Sequence, residues 1–126
     1  MHKETVTYTD YDGTERTEDF YFNISTAEAT ELQATTVGGY AELITKAVNA
    51  KDKPTLVKIM KEFVLRAYGQ KSADGRRFIK NKEQTEEFTQ TEAYSIIFMK
   101  LATDDEAAAK FINETLPNKS KQEIAG

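Results

Sequence analysis

Cysteine is absent from this chain of 126 residues, and histidine occurs once, at His2. Without thiols the fold contains no disulfide, and such a chain is expected in a reducing compartment such as the cytosol. A zinc site or a histidine-dependent catalytic triad would have only His2 to draw on. Because that residue sits at a chain end, where side chains are usually mobile, neither site is predicted.

Long apolar stretches are also missing. The longest run, Ile96 to Met99, has four residues, whereas a membrane-spanning helix needs about 18 or more. The first residues are polar and lack the apolar core of a signal peptide. The sequence therefore predicts neither a membrane span nor export.

Motifs that carry chemistry are incomplete. Gly69-Gln70-Lys71-Ser72 lacks the glycine directly before lysine that a phosphate loop requires, so a helix end followed by a loop is the better interpretation. Counted from Asp10, positions six and twelve of a calcium loop would be Glu15 and Tyr21 rather than glycine and an acid. We predict no catalytic residue, no metal, no cofactor and no enzymatic activity.

The composition is that of an ordinary globular domain, with 39% hydrophobic and 30% charged residues. We expect one domain over residues 1–117 and a polar, flexible tail over 118–126. Residues 1–35 hold eight acids and two bases, while residues 36–100 hold twelve bases and eight acids. This asymmetry favours neutralisation within the fold, with head-to-tail steering of copies as the alternative. A pI near 5.1 disfavours nucleic-acid binding.

Residues 4–9 alternate in a β pattern, Asp12-Gly13 supplies turn chemistry, and residues 17–24 return as a second strand. A two-residue loop would split the apolar side chains between two faces. A three-residue loop with Gly13 left-handed pairs Tyr8 with Arg16 instead and is preferred. It collects four apolar side chains on one face, namely Val6, Tyr8, Phe20 and Phe22. Tyr21 remains on the polar face.

Capping signals predict the helices that follow. Ser25 with Glu28 begins a helix that reaches about Thr35, and apolar spacing from Tyr40 to Val48 predicts a short second one. Asp52 and Pro54 begin a third, central helix, with Gly69 as its left-handed C-terminal residue. Residues 70–80 are expected to form a loop.

The last three predicted helices run from Asn81 to about Phe88, from Thr91 to Ala102, and from a cap at Thr103 with Glu106 to Pro117. The fold class is therefore mainly α (α+β), with an N-terminal β-hairpin packed on a bundle of about five to six short helices.

A domain without reactive chemistry is expected to act by binding protein, and two kinds of surface qualify. Tyr21, Ile96 and Met99 are large side chains that lie off the predicted core faces. Arg76 and Arg77 beside Phe78 could bind an anionic group or the backbone of a partner. A solvated loop anchored by a buried Phe78 is the favoured interpretation.

Three separated blocks carry a resemblance over roughly residues 4–117. They are Tyr8-Thr9-Asp10-Tyr11-Asp12-Gly13 with Glu15 to Asn23 and then Gly38-Gly39; Ala67-Tyr68-Gly69 with Lys71-Ser72 and Asp74-Gly75-Arg76-Arg77-Phe78; and Thr91-Glu92-Ala93-Tyr94-Ser95 with Phe98-Met99. In order and spacing they resemble the tail assembly chaperones of long-tailed, siphovirus-type phages or prophages of Gram-positive bacteria.

The resemblance implies a protein of the host cytoplasm that coats the tape measure protein, keeps it soluble and leaves before the virion matures. It also implies self-association and a frameshifted longer form as partners. A structural tail component retained in the virion is the alternative function, and a nucleic-acid-binding phage regulator is the third. A holdase needs apolar or edge-strand surface and no chemistry, which agrees with the hairpin edges expected to be free.

Overall fold

The computed structural model describes residues 1–40, 42, 43, 46, 49 and 51–117. Strands β1 (His2–Thr9) and β2 (Glu15–Phe22) are followed by α1 (Thr26–Thr35), α2 (Lys53–Ala67), β3 (Tyr68–Lys71), β4 (Phe78–Ile79), α3 (Lys82–Thr89), α4 (Glu92–Thr103) and α5 (Asp105–Thr115). The predicted class, a β-hairpin with a bundle of short helices, is confirmed. The second predicted helix and the tail over 118–126 lie largely or wholly outside the described residues.

The hairpin has the register that burial favoured. Tyr8 pairs with Arg16, and Thr9 pairs with Glu15. The N–H of Asp10 donates to the carbonyl of Thr14 at 2.8 Å, which leaves a three-residue loop in which Gly13 has φ 84°. Even-numbered side chains of both strands therefore face inward, including all four of the apolar residues predicted there.

The loop prediction for residues 70–80 is wrong at Gln70, Lys71, Phe78 and Ile79, which are strand residues, and holds for the turn over residues 72–77. Tyr68–Lys71 and Phe78–Ile79 form a second antiparallel hairpin, and Tyr21 and Phe22 of β2 pair with Gly69 and Tyr68 of β3. The described strands make one sheet of order β1-β2-β3-β4. Strands of four and two residues leave too short an alternation to be recognised in the sequence.

Gly69 does not end the central helix. Helix α2 ends at Ala67, Tyr68 already has extended backbone, and Gly69 is a strand residue without a positive φ. The reason for glycine is space, because an added Cβ would lie 2.5 Å from Cε2 of Phe78 and 2.9 Å from the carbonyl oxygen of Ile79. The residue marks a close approach of β4 to β3.

Caps at the other helices follow the sequence with one exception. Ser25 and Glu28 form the complete capping box of α1, and Asp52 and Asn81 cap α2 and α3 as predicted. Thr91, predicted as the start of a helix, is the N-cap of α4. The exception is α5, where Asp104 rather than Thr103 accepts the N–H of Ala107 at 3.1 Å. Thr103 still belongs to α4 and donates its hydroxyl to the carbonyl of Met99.

Aromatic rings fill the core between the sheet and the helices. The fully buried Phe22 of β2 lies 5.0 Å from Phe111 of α5 and 6.0 Å from Phe88 of α3, measured between ring centroids. Phe88 in turn stacks on Tyr68 at 4.0 Å. Helices α3, α4 and α5 thus contact the inner face of the sheet, while the odd-numbered residues of the first hairpin face outward.

Candidate protein-interaction surface

Tyr21 and Phe78 come together on the outer face of the sheet. Tyr21 pairs with Gly69, and Phe78 pairs with Lys71, which lies two residues further along β3 and so on the same face. The Phe78 ring covers Gly69, and the Lys71 ammonium lies 4.5 Å from the centroid of the Tyr21 ring. Both aromatic side chains are half-buried. This outer aromatic face consists of Tyr21, Gly69, Lys71 and Phe78.

Arg76 and Arg77 lie in the tight turn that joins β3 to β4. Asp74 organises the turn by accepting the Ser72 hydroxyl at 2.7 Å and the N–H of Arg76 at 3.0 Å. These hydrogen bonds lower the pKa of Asp74, the Ser72 hydroxyl first. Both arginines are exposed, and neither guanidinium forms a salt bridge with a residue that the structure describes. The turn presents two cations at one end of the outer aromatic face.

Ile96 and Met99 lie elsewhere, on α4, which packs on the inner side of the sheet along β1. The buried stripe of α4 consists of Ala93, Ile97 and Leu101. Ile96 and Met99 lie off this stripe and are 40% and 55% exposed. The six predicted residues therefore divide between two surfaces, four on or beside the outer aromatic face and two on α4.

A cleft opens between β2 and β3, where the two strands separate beyond Tyr21 and Gly69. Its volume is about 510 Å³, and its walls include Glu18, Asp19 and Phe20 on one side and Gln70 and Lys71 on the other. The separation corrects part of the expectation that both hairpin edges are free. The edge of β2 is paired at Tyr21 and Phe22 and open only nearer the hairpin loop.

The outer edge of strand β1 is unpaired over all eight residues, because within the described sheet β1 pairs with β2 alone.

Polar contacts between side chains stabilise the loop end of the hairpin formed by β1 and β2. Arg16 donates to Asp10 at 2.6 Å and lowers the pKa of that carboxyl, and a hydrogen bond to Glu18 raises the pKa of Tyr8.

His2 is buried, contrary to the expectation of a mobile terminus. Its exposed fraction is 5%, and its two ring nitrogens lie 2.7 Å from Glu4 and 2.6 Å from Glu114. Lys100 reaches the second oxygen of Glu4 at 3.2 Å. The cluster ties the start of β1 to α4 and α5. Its members are up to 112 positions apart, so local sequence patterns do not reveal it.

Comparison with protein families matches the chain over residues 1–126 to a family described as phage tail assembly chaperone. This chain belongs to the phage tail assembly chaperone family. No curated protein and no solved structure gives a significant match. A chaperone family is not an enzyme class, which agrees with the prediction of a non-enzyme.

Two further features of this chaperone-family chain concern metal binding and membrane insertion. Among residues 1–40, 42, 43, 46, 49 and 51–117, no group of three or more histidines, cysteines or carboxylates is placed to hold a metal ion. None of the helices described is long and apolar enough to cross a membrane.

Proposed function

We propose that this chain binds the tape measure protein of a siphovirus-type phage of Gram-positive bacteria in the cytoplasm of the host. It keeps that protein soluble, promotes assembly of the tail tube around it, and is absent from the mature virion. The observation that carries the proposal is membership of the tail assembly chaperone family over the whole chain. Copies of the chain associate with one another and with a frameshifted longer form.

The outer aromatic face with the arginine turn is the surface we assign to the client. A long, helical client presents apolar side chains and, where it is incompletely folded, backbone carbonyls. Tyr21 and Phe78 offer half-buried rings to the first, and the exposed Arg76 and Arg77 offer guanidinium donors to the second. Neither contact requires the chaperone to rearrange its core, because all four residues lie outside the helix layer.

Charge reversal of the turn tests this assignment. R76E/R77E replaces two exposed cations with anions in a turn whose backbone bonds come from Ser72 and Asp74, so the fold should persist. We expect the soluble fraction of a co-expressed tape measure protein to fall severalfold. K58E/K61E on α2 makes the same change of charge at two exposed positions and should leave that fraction unchanged. Equal losses in both variants would show a general effect of charge and reject the surface.

Retention in the virion would indicate the alternative function, a structural tail component. Mass spectrometry of purified particles distinguishes the two. The proposal expects the chain to be absent or far below the amount of tube protein, and stoichiometric presence would contradict it.

A further inference from the structure

The edges of the sheet differ in how they discourage pairing with another strand. Strand β4, at one edge, has only two residues. The open part of β2 carries the exposed acids Glu15 and Asp19. Short strands and charged side chains are the usual protection of a sheet edge. Strand β1 has eight residues, contains no proline and pairs with β2 without a bulge. Its one exposed charged side chain is Lys3, near its start, so from Thr5 to Thr9 it is the least protected edge of the described sheet.

The backbone of β1 offers a regular row of hydrogen-bonding groups along that edge. Because Asp10 donates to Thr14, the even-numbered residues of β1 exchange hydrogen bonds with β2. The N–H and C=O groups of the odd-numbered residues therefore point outward. They belong to Lys3, Thr5, Thr7 and Thr9.

The side chains of β1 are complementary to a second copy of the same strand. An antiparallel pair centred on Val6 sets Thr5 opposite Thr7 of the other copy twice and opposes no like charges. Such a threonine pair already exists in the hairpin, where the hydroxyls of Thr7 and Thr17 lie 2.9 Å apart. A basic foreign segment would find better charge complementarity at the acidic edge of β2.

Helix α4 supplies apolar surface beside the free edge of β1. Lys100 contacts Glu4 of β1, while Tyr94 contacts Phe88, which lies over β2 and β3. At 100° per residue, Ile96 lies on the Lys100 side of α4, and Met99 follows it one turn later. Ile96 thus lies toward the free edge of β1, where a second copy would approach, whereas Met99 faces away from the sheet, nearly opposite the buried stripe.

We propose that β1 is the interface through which two copies of this chain pair. The strands lie antiparallel, the two sheets become one continuous sheet with both helix layers on the same side, and the Ile96 side chains of the two copies approach across the junction. This inference rests on the self-association included in the proposed function and names its surface. The outer aromatic face and the arginine turn lie outside the contact, so pairing leaves them open to a client.

Proline at Thr7 tests the interface, and proline at Thr17 is its matched control. The N–H of Thr7 points out from β1, while that of Thr17 points out from the other edge of the same hairpin. Both variants lose the Thr7–Thr17 contact and neither loses a β1–β2 backbone bond. Sedimentation across a concentration series should show wild type and T17P as dimers, with dimerisation of T7P weakened about 100-fold by loss of one outward N–H per copy.

A second pair of variants keeps the test decisive if T7P fails to fold. I96E places a charge at a position 40% exposed on α4, and V57E does so at a position 38% exposed on α2. We expect I96E alone to weaken the dimer. A wild-type chain that stays monomeric, or equal dimerisation of both members of each pair, would overturn the inference. If T7P still keeps the tape measure protein soluble, a failed interface leaves the proposed chaperone function standing.

Discussion

Gly69 and Phe78 lie so close across the β3–β4 hairpin that a Cβ on Gly69 would sit 2.5 Å from the Phe78 ring. The carbonyl of Ile79 closes the same space at 2.9 Å, so the ring cannot relieve the clash by turning away. We expect Gly69→Ala to lower the free energy of unfolding by about 1–3 kcal/mol, as other overpacked sites do. Urea denaturation measures this, and an unchanged midpoint would contradict the close approach.

His2 should contribute to stability although it is next to the first residue. His2→Ala removes a ring that lies 5.0 Å from Phe111 and leaves Glu114 without its contact to that ring. We predict a loss of about 2 kcal/mol, typical of a broken buried polar cluster. Lys3→Ala changes the neighbouring exposed residue and should stay within about 0.5 kcal/mol of wild type. Equal denaturation midpoints for His2→Ala and Lys3→Ala would contradict a stabilising role for the cluster around His2.

Glu28 should make stability depend on pH in the acidic range. Burial alone would raise the pKa of Glu28, but the Lys80 ammonium at 2.7 Å and the N–H of Ser25 outweigh it and lower the pKa below 4.5. A lowered folded pKa gives stability that is present above the unfolded pKa and disappears as pH falls through the folded one.

Glu28→Gln keeps an acceptor for the capping box and removes the charge. We expect a cost of at most about 1 kcal/mol at pH 7, because the pair is partly exposed. The difference between wild type and variant should shrink below about pH 4, near the ordinary pKa of glutamate. A difference that stays constant from neutral to acidic pH would assign the effect to something other than the ion pair.

Tyr40 should make stability depend on pH in the alkaline range, where stability falls as pH rises. Burial raises the pKa of Tyr40 from 10.0 to about 12, and its hydroxyl has no hydrogen-bond partner among the described residues. A raised folded pKa gives stability that is complete below pH 10 and is lost as pH rises toward 12.

Tyr40→Phe keeps the stacking on Phe63 and removes the unpaired hydroxyl. The variant should be as stable as wild type at pH 7, or up to about 1 kcal/mol more stable. Between about pH 9 and pH 11, roughly one unit below and above the ordinary pKa of tyrosine, the variant should also lose less stability than wild type. Parallel losses in the two proteins would contradict the assignment to Tyr40.

The parts of this fold that sequence could predict are those fixed by local patterns. The hairpin register follows from alternation over eight-residue strands with Gly13 at the turn, and Ser25, Asp52, Asn81 and Thr91 cap their helices within three residues of their partners. Asp104 was missed as a cap because Thr103 has Glu106 three residues later, which is the spacing of a capping box, whereas the residue three positions after Asp104 is Ala107.

The parts that sequence could not predict depend on distant contacts. Tyr68 fits the apolar stripe of α2 and Gly69 fits a helix end, and only their pairing with Phe22 and Tyr21, more than 40 positions earlier, shows that both belong to a sheet. One of the two partners of His2, Glu114, lies 112 positions away. The division of the candidate residues between the outer face and α4 likewise depends on which helices cover the inner face of the sheet.

Co-expression with the tape measure protein of the same phage tests the central claim most directly. The measurement is the fraction of tape measure protein that remains soluble after lysis, with and without this chain. The account predicts a marked rise in that fraction and co-purification of the two proteins. A tape measure protein that is equally insoluble in both cases would contradict it.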